Sequence, residues 1–256
     1  MELFSEERKK RVIEFLQKHN RVTITQLVEI LSVSDVTVRR DLAQLESEGL
    51  LRRTHGGAIL PDSTGLEPPA AEREVKFLAE KERIGRFAAQ FIKDGETVMI
   101  DGGSTTLQLV KNLKKKIDLI VVTNAPNFAL ELQENDSIEV ILTGGTLRRK
   151  TIALVGPVAV ETINKFRADK AILGMAAISV QEGLFTINPL EAEIKKAMMN
   201  CSEELIVVAD YSKLGKFSFT QVASLSRVSK LIMDNRISTA EIKAIEELDV
   251  EVFAVE

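Results

Sequence analysis

Along the first sixty positions the apolar residues recur at helical spacing in three bursts. Ser5 is placed to cap a helix running to about His19, with Glu6 and Glu7 at its positive end and Val12, Phe15 and Leu16 as its apolar stripe. Thr23 followed by Gln26 is a capping-box pattern that opens a short second helix through Leu27, Ile30 and Leu31. A tight turn at Ser32-Val33 follows, and Ser34 caps a third helix reaching Glu48 before Gly49 stops it. Two short helices joined by so brief a turn have helix-turn-helix spacing. Leu50-Leu51-Arg52-Arg53 and Ala58-Ile59-Leu60 then flank Thr54-His55-Gly56-Gly57, which predicts a hairpin with a glycine turn.

At about 100° per residue, Val38, Leu42 and Leu45 share the core side of the third helix. The opposite face centres on Val36, Arg40 and Ala43, flanked by Thr37 and Gln44 on one side and Arg39 on the other. That mixture suits a major groove: an arginine forks onto guanine, a glutamine onto adenine, and the methyl groups pack on thymine. Arg52, Arg53 and His55 on the hairpin predict a wing, with His55 either holding the turn or meeting a phosphate. An Arg-Arg pair by itself is most often a solvated helix face, so the expectation of DNA binding rests on the whole order of signals.

Between Leu60 and Arg73 the chain reads Pro61-Asp62-Ser63-Thr64-Gly65-Leu66-Glu67-Pro68-Pro69-Ala70-Ala71, where three prolines remove amide donors and disfavour helix before them. The expected division is therefore a mainly-α module at 1–60, a linker at 61–72 and a larger domain at 73–256. A helical stretch from Arg73 to about Lys93 opens the larger domain. Strands are then expected at 97–100, 119–123, 139–143, 170–175, 205–209, 230–233 and 251–255, with helices at 105–113, 126–132, 158–165, 191–200 and 239–248. That alternation is an α/β fold with a mostly parallel sheet.

Composition adds little beyond class. The chain has 256 residues, 45% hydrophobic and 28% charged, with 6 Pro and 14 Gly, which excludes collagen-like and globally disordered readings. The formal net charge of −4 argues weakly against nucleic acid, but residues 1–60 carry ten Lys and Arg against nine Asp and Glu. The single cysteine, Cys201, permits no internal disulfide, and with no apolar leader or span the expected place is the cytoplasm, away from membranes. No ligand spacing marks a metal, and no cofactor is expected.

The polar clusters of the larger domain fall at the carboxyl ends of its strands. Asp101-Gly102-Gly103-Ser104-Thr105-Thr106 follows the first, Asn124 the second, Gly144-Gly145 the third, Gly174 the fourth and Asp210-Tyr211-Ser212-Lys213 the fifth. In an open parallel sheet these ends share one edge, where ligands bind. The Gly102–Thr106 loop offers amides and hydroxyls suited to a phosphate or carboxylate, Lys213 a neutralising charge, and Asp101 and Asn124 partners for sugar hydroxyls. Each taken singly has a plainer reading: a turn, a cap, a solvated lysine.

Two sets of motifs are recognisable. Leu31-Ser32-Val33-Ser34, Thr37-Val38-Arg39-Arg40-Asp41-Leu42, Leu45-Glu46, Gly49-Leu50 and Arg53-Thr54-His55-Gly56-Gly57-Ala58 closely resemble the winged helix of the deoxyribonucleoside-repressor (DeoR) family of bacterial transcription regulators. Asp101-Gly102-Gly103-Ser104-Thr105, Thr123-Asn124, Gly144-Gly145-Thr146-Leu147-Arg148, Gly156-Pro157, Gly183-Leu184 with Glu191-Ala192, and Asp210-Tyr211-Ser212-Lys213-Leu214-Gly215 resemble the effector domain of the same family. One departure is Gly102, where family members more often carry Ser or Ala, which alters the polarity of the pocket.

The resemblance implies a winged helix-turn-helix joined to a domain similar to ribose-5-phosphate isomerase and coenzyme A transferases, used to sense a phosphorylated sugar or related metabolite. It implies a repressor of a sugar-utilisation operon, acting as a homodimer or tetramer on a double-stranded operator. The expected DNA contacts are Ser34, Val36, Thr37, Arg39, Arg40, Gln44, Arg52, Arg53 and His55. The expected effector contacts are Asp101, Gly102, Gly103, Ser104, Thr105, Thr106, Asn124, Gly144, Gly145, Glu191 and Lys213. The rival reading is a phosphosugar isomerase or transferase with Asp101, Glu191 and Lys213 as acid, base and charge stabiliser; against it, both histidines, His19 and His55, lie in the first module.

Overall fold

The structure is a computed structural model that describes residues 5–19, 21–47, 50–54, 56–59 and 68–256. The chain divides into two compact units, Met1–Glu67 and Pro68–Glu256.

In the first unit α1 (Ser5–His19), β1 (Arg21–Thr23), α2 (Ile24–Leu31) and α3 (Asp35–Ser47) are followed by β2 (Arg52–Thr54) and β3 (Gly57–Ile59). The capping box forms as its residues require: Gln26 N donates to Thr23 Oγ1 at 3.2 Å, and Thr23 N donates to Gln26 Oε1 at 2.9 Å. The turn between α2 and α3 is made by Ser32 in the left-handed region at φ 54°, and Thr37 N donates to Ser34 Oγ at 3.3 Å. Val38, Leu42 and Leu45 join Val12, Leu16, Leu27 and Leu31 in one buried cluster. The hairpin β2–β3 gains a third strand that sequence spacing did not predict, because Val22 of β1 pairs antiparallel with Ala58. His55, and residues 48–49 at the expected end of the third helix, lie outside the described residues.

The second unit opens with α4 (Ala70–Val75) and α5 (Leu78–Ala88), the latter closed by a single 3-10 turn. Three residues of the expected linker, 70–72, are thus helical, and the single helix expected from Arg73 is two. The break is at Phe77, at φ 57°. The carbonyls of Arg73 and Lys76, which a continuous helix would have used itself, accept instead from Lys81 Nζ.

The rest alternates: β4 (Thr97–Ile100), α6 (Ser104–Lys111), β5 (Leu119–Thr123), α7 (Pro126–Leu132), β6 (Ile138–Leu142), a hairpin of β7 (Thr146–Arg148) and β8 (Ala153–Val155), then α8 (Pro157–Ile163) and β9 (Ala168–Gly174). After β10 (Ala177–Ser179) and β11 (Gly183–Thr186) come α9 (Pro189–Asn200), β12 (Ser202–Val208), β13 (Thr220–Ala223), β14 (Lys230–Asp234), α10 (Thr239–Glu246) and β15 (Glu251–Val255). All seven strands expected from the sequence are present and form one parallel sheet, in the order β15-β14-β12-β9-β4-β5-β6.

Alternation along β4 sends Val98 and Ile100 into one buried cluster with α5, α6 and α7, and Met99 into another with α8, α9 and α10. The architecture is therefore helix, sheet, helix. Gly85 allows the first layer to close: a Cβ there would lie 2.5 Å from the backbone of Gln108 and Leu109, so α5 and α6 touch nearly backbone to backbone. The sheet grows outward from β4 in both directions, first to β5 and β6, then back past β4 to β9 and β12. Its topological switch point lies between the carboxyl ends of β4 and β9, where Asp101 and Gly174 stand.

Candidate functional site

On the first unit, α3 presents Val36, 76% exposed, with Arg39, Arg40 and Gln44 also exposed and Thr37 and Ala43 partly so. The Arg39 guanidinium is engaged along the helix, with Nε donating to Asp35 Oδ1 at 2.5 Å and Nη2 to Asp35 Oδ2 at 3.3 Å. Arg53 donates from its backbone N to Glu46 Oε1 at 2.8 Å and from Nε to Glu46 Oε2 at 2.7 Å, which ties β2 to the end of α3. The Arg52 side chain lies outside the described residues, like His55.

On the second unit the expected polar residues gather at the switch point, but most are already engaged. Asp101, 2% exposed, accepts from Gly174 N at 2.7 Å and from Lys195 Nζ, while that ammonium also donates to Gly174 O at 2.8 Å. Asn124 ties two loops, its Oδ1 accepting from Gly102 N at 2.9 Å and its Nδ2 donating to Leu154 O at 3.0 Å. Thr106 Oγ1 donates to the carbonyls of Asp101 and Gly103, and Thr105 is buried beside it. Glu191 accepts from Arg148 Nη1 at 3.0 Å. Gly144 and Gly145, both at positive φ, bring their turn against α8 and β8; a Cβ on Gly145 would sit 2.7 Å from Val155 O. These groups brace the loops against each other.

What they brace is a cleft. Gly102, Gly103 and Ser104 form one wall, Arg73 and Glu74 of α4 another, and Asn127 with Thr151, at the tip of the β7–β8 hairpin, complete it. Thr151 Oγ1 is buried without a hydrogen-bond partner. A short way off stand the cations Lys81 and Lys213 around the buried carboxylate of Asp210, within the electrostatic reach of Arg73 and Lys76. Burial drives the Lys81 ammonium down to about 8, against the pull of Asp210 and with the push of Lys213, Arg73 and Lys76. Burial lowers Lys213 as well. An excess of positive charge held partly out of water is a place where an anion is stabilised.

Lys195, Lys81, Arg148, Arg73 and Thr151 were not among the residues expected from the sequence. Two carried a signal: Lys195 and Lys81 each stand on the apolar face of their helix, beside Ala192 and Met198 or Ile84 and Ala88. Arg148 stood in the sequence only as the last residue of the Gly144–Arg148 motif, and Arg73 and Thr151 carried no signal, because only the tertiary fold brings α4 and the hairpin to the loop. Among the described residues no three His, Cys, Asp or Glu side chains cluster as metal ligands do, and no helix is long and apolar enough to cross a membrane.

Residues 8–64 match the DeoR-like helix-turn-helix domain and residues 76–235 the DeoR C-terminal sensor domain. The chain belongs to the DeoR family of transcriptional regulators. It is 39% identical to the HTH-type transcriptional regulator GlpR of Haloferax volcanii over 96% of each chain. It is 36% identical to the HTH-type transcriptional repressor GlcR of Bacillus subtilis, over 91% of this chain and 89% of that one. To the glycerol-3-phosphate regulon repressor of Escherichia coli it is 34% identical, over 87% and 88%. Among solved structures, ribose 5-phosphate isomerase A of Methanocaldococcus jannaschii is similar at a TM-score of 0.40 and 16% identity over 54% of this chain and 55% of that one, too distant to speak to chemistry. This DeoR-family protein is a DNA-binding transcriptional regulator; its relatives are regulators, and nothing supports the enzyme reading.

Proposed function

We propose that this regulator represses a sugar-utilisation operon and that a phosphorylated sugar, bound in the cleft beside Gly102–Ser104, releases it from its operator. The observation that carries the reading is the cleft itself: a glycine-rich loop at the switch point of a parallel sheet, opposite Arg73 and near Lys81 and Lys213. The amides and Ser104 receive the phosphate oxygens and the cations offset their charge. The braced Asp101–Lys195 and Glu191–Arg148 pairs border the site and can exchange partners with sugar hydroxyls.

On the DNA side, Arg40, Gln44, Thr37 and Val36 of α3 read base edges, with Ser34 at the start of the helix and Arg39, Arg52, Arg53 and His55 distributed between bases and phosphates. A palindromic operator calls for a homodimer or tetramer, working in the cytoplasm where the DNA is. The relatives' names, a glycerol-3-phosphate regulon repressor among them, agree with a small phosphorylated effector.

The test is fluorescence anisotropy of the purified protein on DNA from upstream of its own gene, at two salt concentrations, with phosphosugars and their unphosphorylated counterparts added. Competitor-resistant binding that one phosphosugar releases, and its parent sugar does not, is the expected result. Specific binding that no phosphosugar changes would remove the cleft assignment.

A further inference from the structure

The polar side chains around the switch point are of two kinds. Asp101, Asn124, Thr106 and Glu191 are committed to other parts of the protein through their hydrogen bonds. Glu74, Asn127 and Thr151, which line the cleft together with the Gly102–Ser104 loop, have no side-chain hydrogen-bond or ion-pair partner among the described residues. Thr151 is the decisive case, because the residue is 7% exposed and its Oγ1 is buried. Folded proteins seldom leave a buried hydroxyl unpaired, since stranding it costs free energy.

Separate elements deliver these groups. Glu74 stands on α4, and Asn127 follows Pro126 at the start of α7. Thr151 stands at the tip of the β7–β8 hairpin, where its N donates to Arg148 O at 3.2 Å and Ile152 takes φ 55°. A β-branched residue disfavours the left-handed region, so the turn beside Thr151 is strained. The chemistry of the three differs from that of the rest of the site. A carboxylate only accepts hydrogen bonds, an amide donates and accepts, and a hydroxyl does either. Phosphate oxygens at neutral pH are acceptors, so Glu74 gives them neither a donor nor a favourable charge. A sugar hydroxyl, by contrast, donates to the carboxylate and is completed by the amide and by Thr151. Arg73 lines the same cleft but has a partner of its own. Donors and positive charge for a phosphate are on the loop amides, Ser104, Lys81 and Lys213.

We propose that Glu74, Asn127 and Thr151 form a subsite for the hydroxyl groups of the effector, and that Glu74 refuses a second phosphate, so that the effector is a polyhydroxylated monophosphate. The proposal rests on the phosphosugar reading of the cleft and adds to it which end of the ligand is read, and by which residues. Recognition of this kind discriminates strongly, because an analogue that lacks the hydroxyl leaves the polar groups of the site unpaired. Like charge at Glu74 rejects what shape alone would admit. A hydroxyl kept for the ligand also has a consequence for the ligand-free protein, which loses stability by holding it.

The test is calorimetry of the full-length protein with glucose 6-phosphate, fructose 1-phosphate, glycerol 3-phosphate and fructose 1,6-bisphosphate. Inorganic phosphate, the minimal anion, is measured by its competition against the tightest of them. In the unaltered protein one monophosphate is expected to bind at least about tenfold tighter than the bisphosphate. Thr151→Val, close in shape but without the hydroxyl, is expected to weaken that monophosphate by about tenfold and leave inorganic phosphate within about twofold. Without ligand, the same variant should melt at the temperature of the unaltered second unit or above it. Thr151→Ser is expected to restore affinity to within about threefold, since it keeps the hydroxyl. Glu74→Gln, which keeps the size and removes the charge, is expected to narrow the preference for monophosphate over bisphosphate by about fivefold or more.

Equal losses of monophosphate and inorganic phosphate in Thr151→Val would place Thr151 at the phosphate, and a lowered melting temperature with unchanged affinity would make it a structural residue; either overturns the subsite. An unchanged preference in Glu74→Gln overturns the exclusion of a second phosphate. If Thr151→Val does not fold, Asn127→Ala carries the same comparison of monophosphate with inorganic phosphate, with the same expected split. Failure of every probe to bind the unaltered protein would strike the phosphosugar reading itself. Phosphates that bind without regard to their hydroxyls would strike this proposal alone.

Discussion

Asp41 of α3, 2% exposed, accepts two hydrogen bonds from Arg8 of α1, Nε to Oδ2 at 2.8 Å and Nη2 to Oδ1 at 3.2 Å. The pair joins the scaffold helix to the one that presents Val36, Arg40 and Gln44, so it sets the angle at which that face is offered. Charges so placed are worth little beyond apolar packing when both are present, but costly when one is stranded. Asp41→Ala should destabilise the first unit by about 2 kcal/mol, below the roughly 3–5 kcal/mol of a fully buried broken pair because the Arg8 side chain retains 15% exposure to water. In calorimetry of the full chain, the transition of the first unit should fall by about 10 °C and that of the second should stay. An unmoved first transition would make the pair ornamental.

Arg40 stands at the centre of the exposed face of α3. If it forks onto a guanine, Arg40→Ala costs specific operator affinity about 1–3 kcal/mol and relaxes base preference at one position. Arg39, by contrast, has its Nε and Nη2 turned to Asp35 and offers only the remaining edge. A uniform loss on specific and random DNA would reassign Arg40 to phosphate and the salt dependence would drop accordingly.

Much of this was legible in the sequence because local rules were obeyed. The capping box at Thr23 and Gln26, the core stripe of Val38, Leu42 and Leu45, and the seven runs of the parallel sheet are all short-range patterns whose period equals that of the structure. The small strands β7, β8, β10, β11 and β13 were missed, since they are three or four residues long and exist only by pairing with one another. At the site, the loop Gly102–Ser104 was visible as a glycine-rich turn after a strand. Its neighbours were not: Lys195 comes from a helix 94 residues away in sequence and meets Asp101 only because β9 returns beside β4. Conversely, Asn124 and Thr106 read as ligand groups in one dimension, yet hydrogen-bond the protein's own loops in three.

Gly85 offers a test of the first helical layer. An alanine in mid-helix ordinarily gains up to about 1 kcal/mol over glycine. Here the added Cβ would stand 2.5 Å from Gln108 C and Leu109 N, backbone atoms that cannot rotate aside. Separating α5 from α6 carries an overpacking cost of about 1–3 kcal/mol or more, which outweighs the propensity gain. Gly85→Ala should therefore lower the urea midpoint of the second unit; a raised midpoint would show that the helices part freely.

The buried lysines predict a pH dependence of ligand binding. Lys81 loses its proton near pH 8 in the empty protein, because burial, with Lys213, Arg73 and Lys76 nearby, disfavours the charge that Asp210 supports. A bound phosphosugar adds negative charge and raises that pKa, so above pH 8 binding must take up a proton. Affinity should be nearly flat around pH 7, about a unit below the Lys81 pKa, where Lys81 is largely charged in both states and the phosphate's second proton, with a pKa near 6, is mostly lost. As pH rises through the folded pKa it should fall, by at most about tenfold per unit for one proton, until the pKa of the bound state is passed. Lys213, lowered by burial too, adds a slope of its own. Lys81→Met should reduce the low-pH affinity towards the high-pH value and flatten the curve, and the double change with Lys213→Met should flatten it fully between about pH 7 and 9.5. Calorimetric titrations across that range in two buffers of different ionisation enthalpy count the protons directly. A profile that is flat in the unaltered protein would place the phosphate away from both lysines.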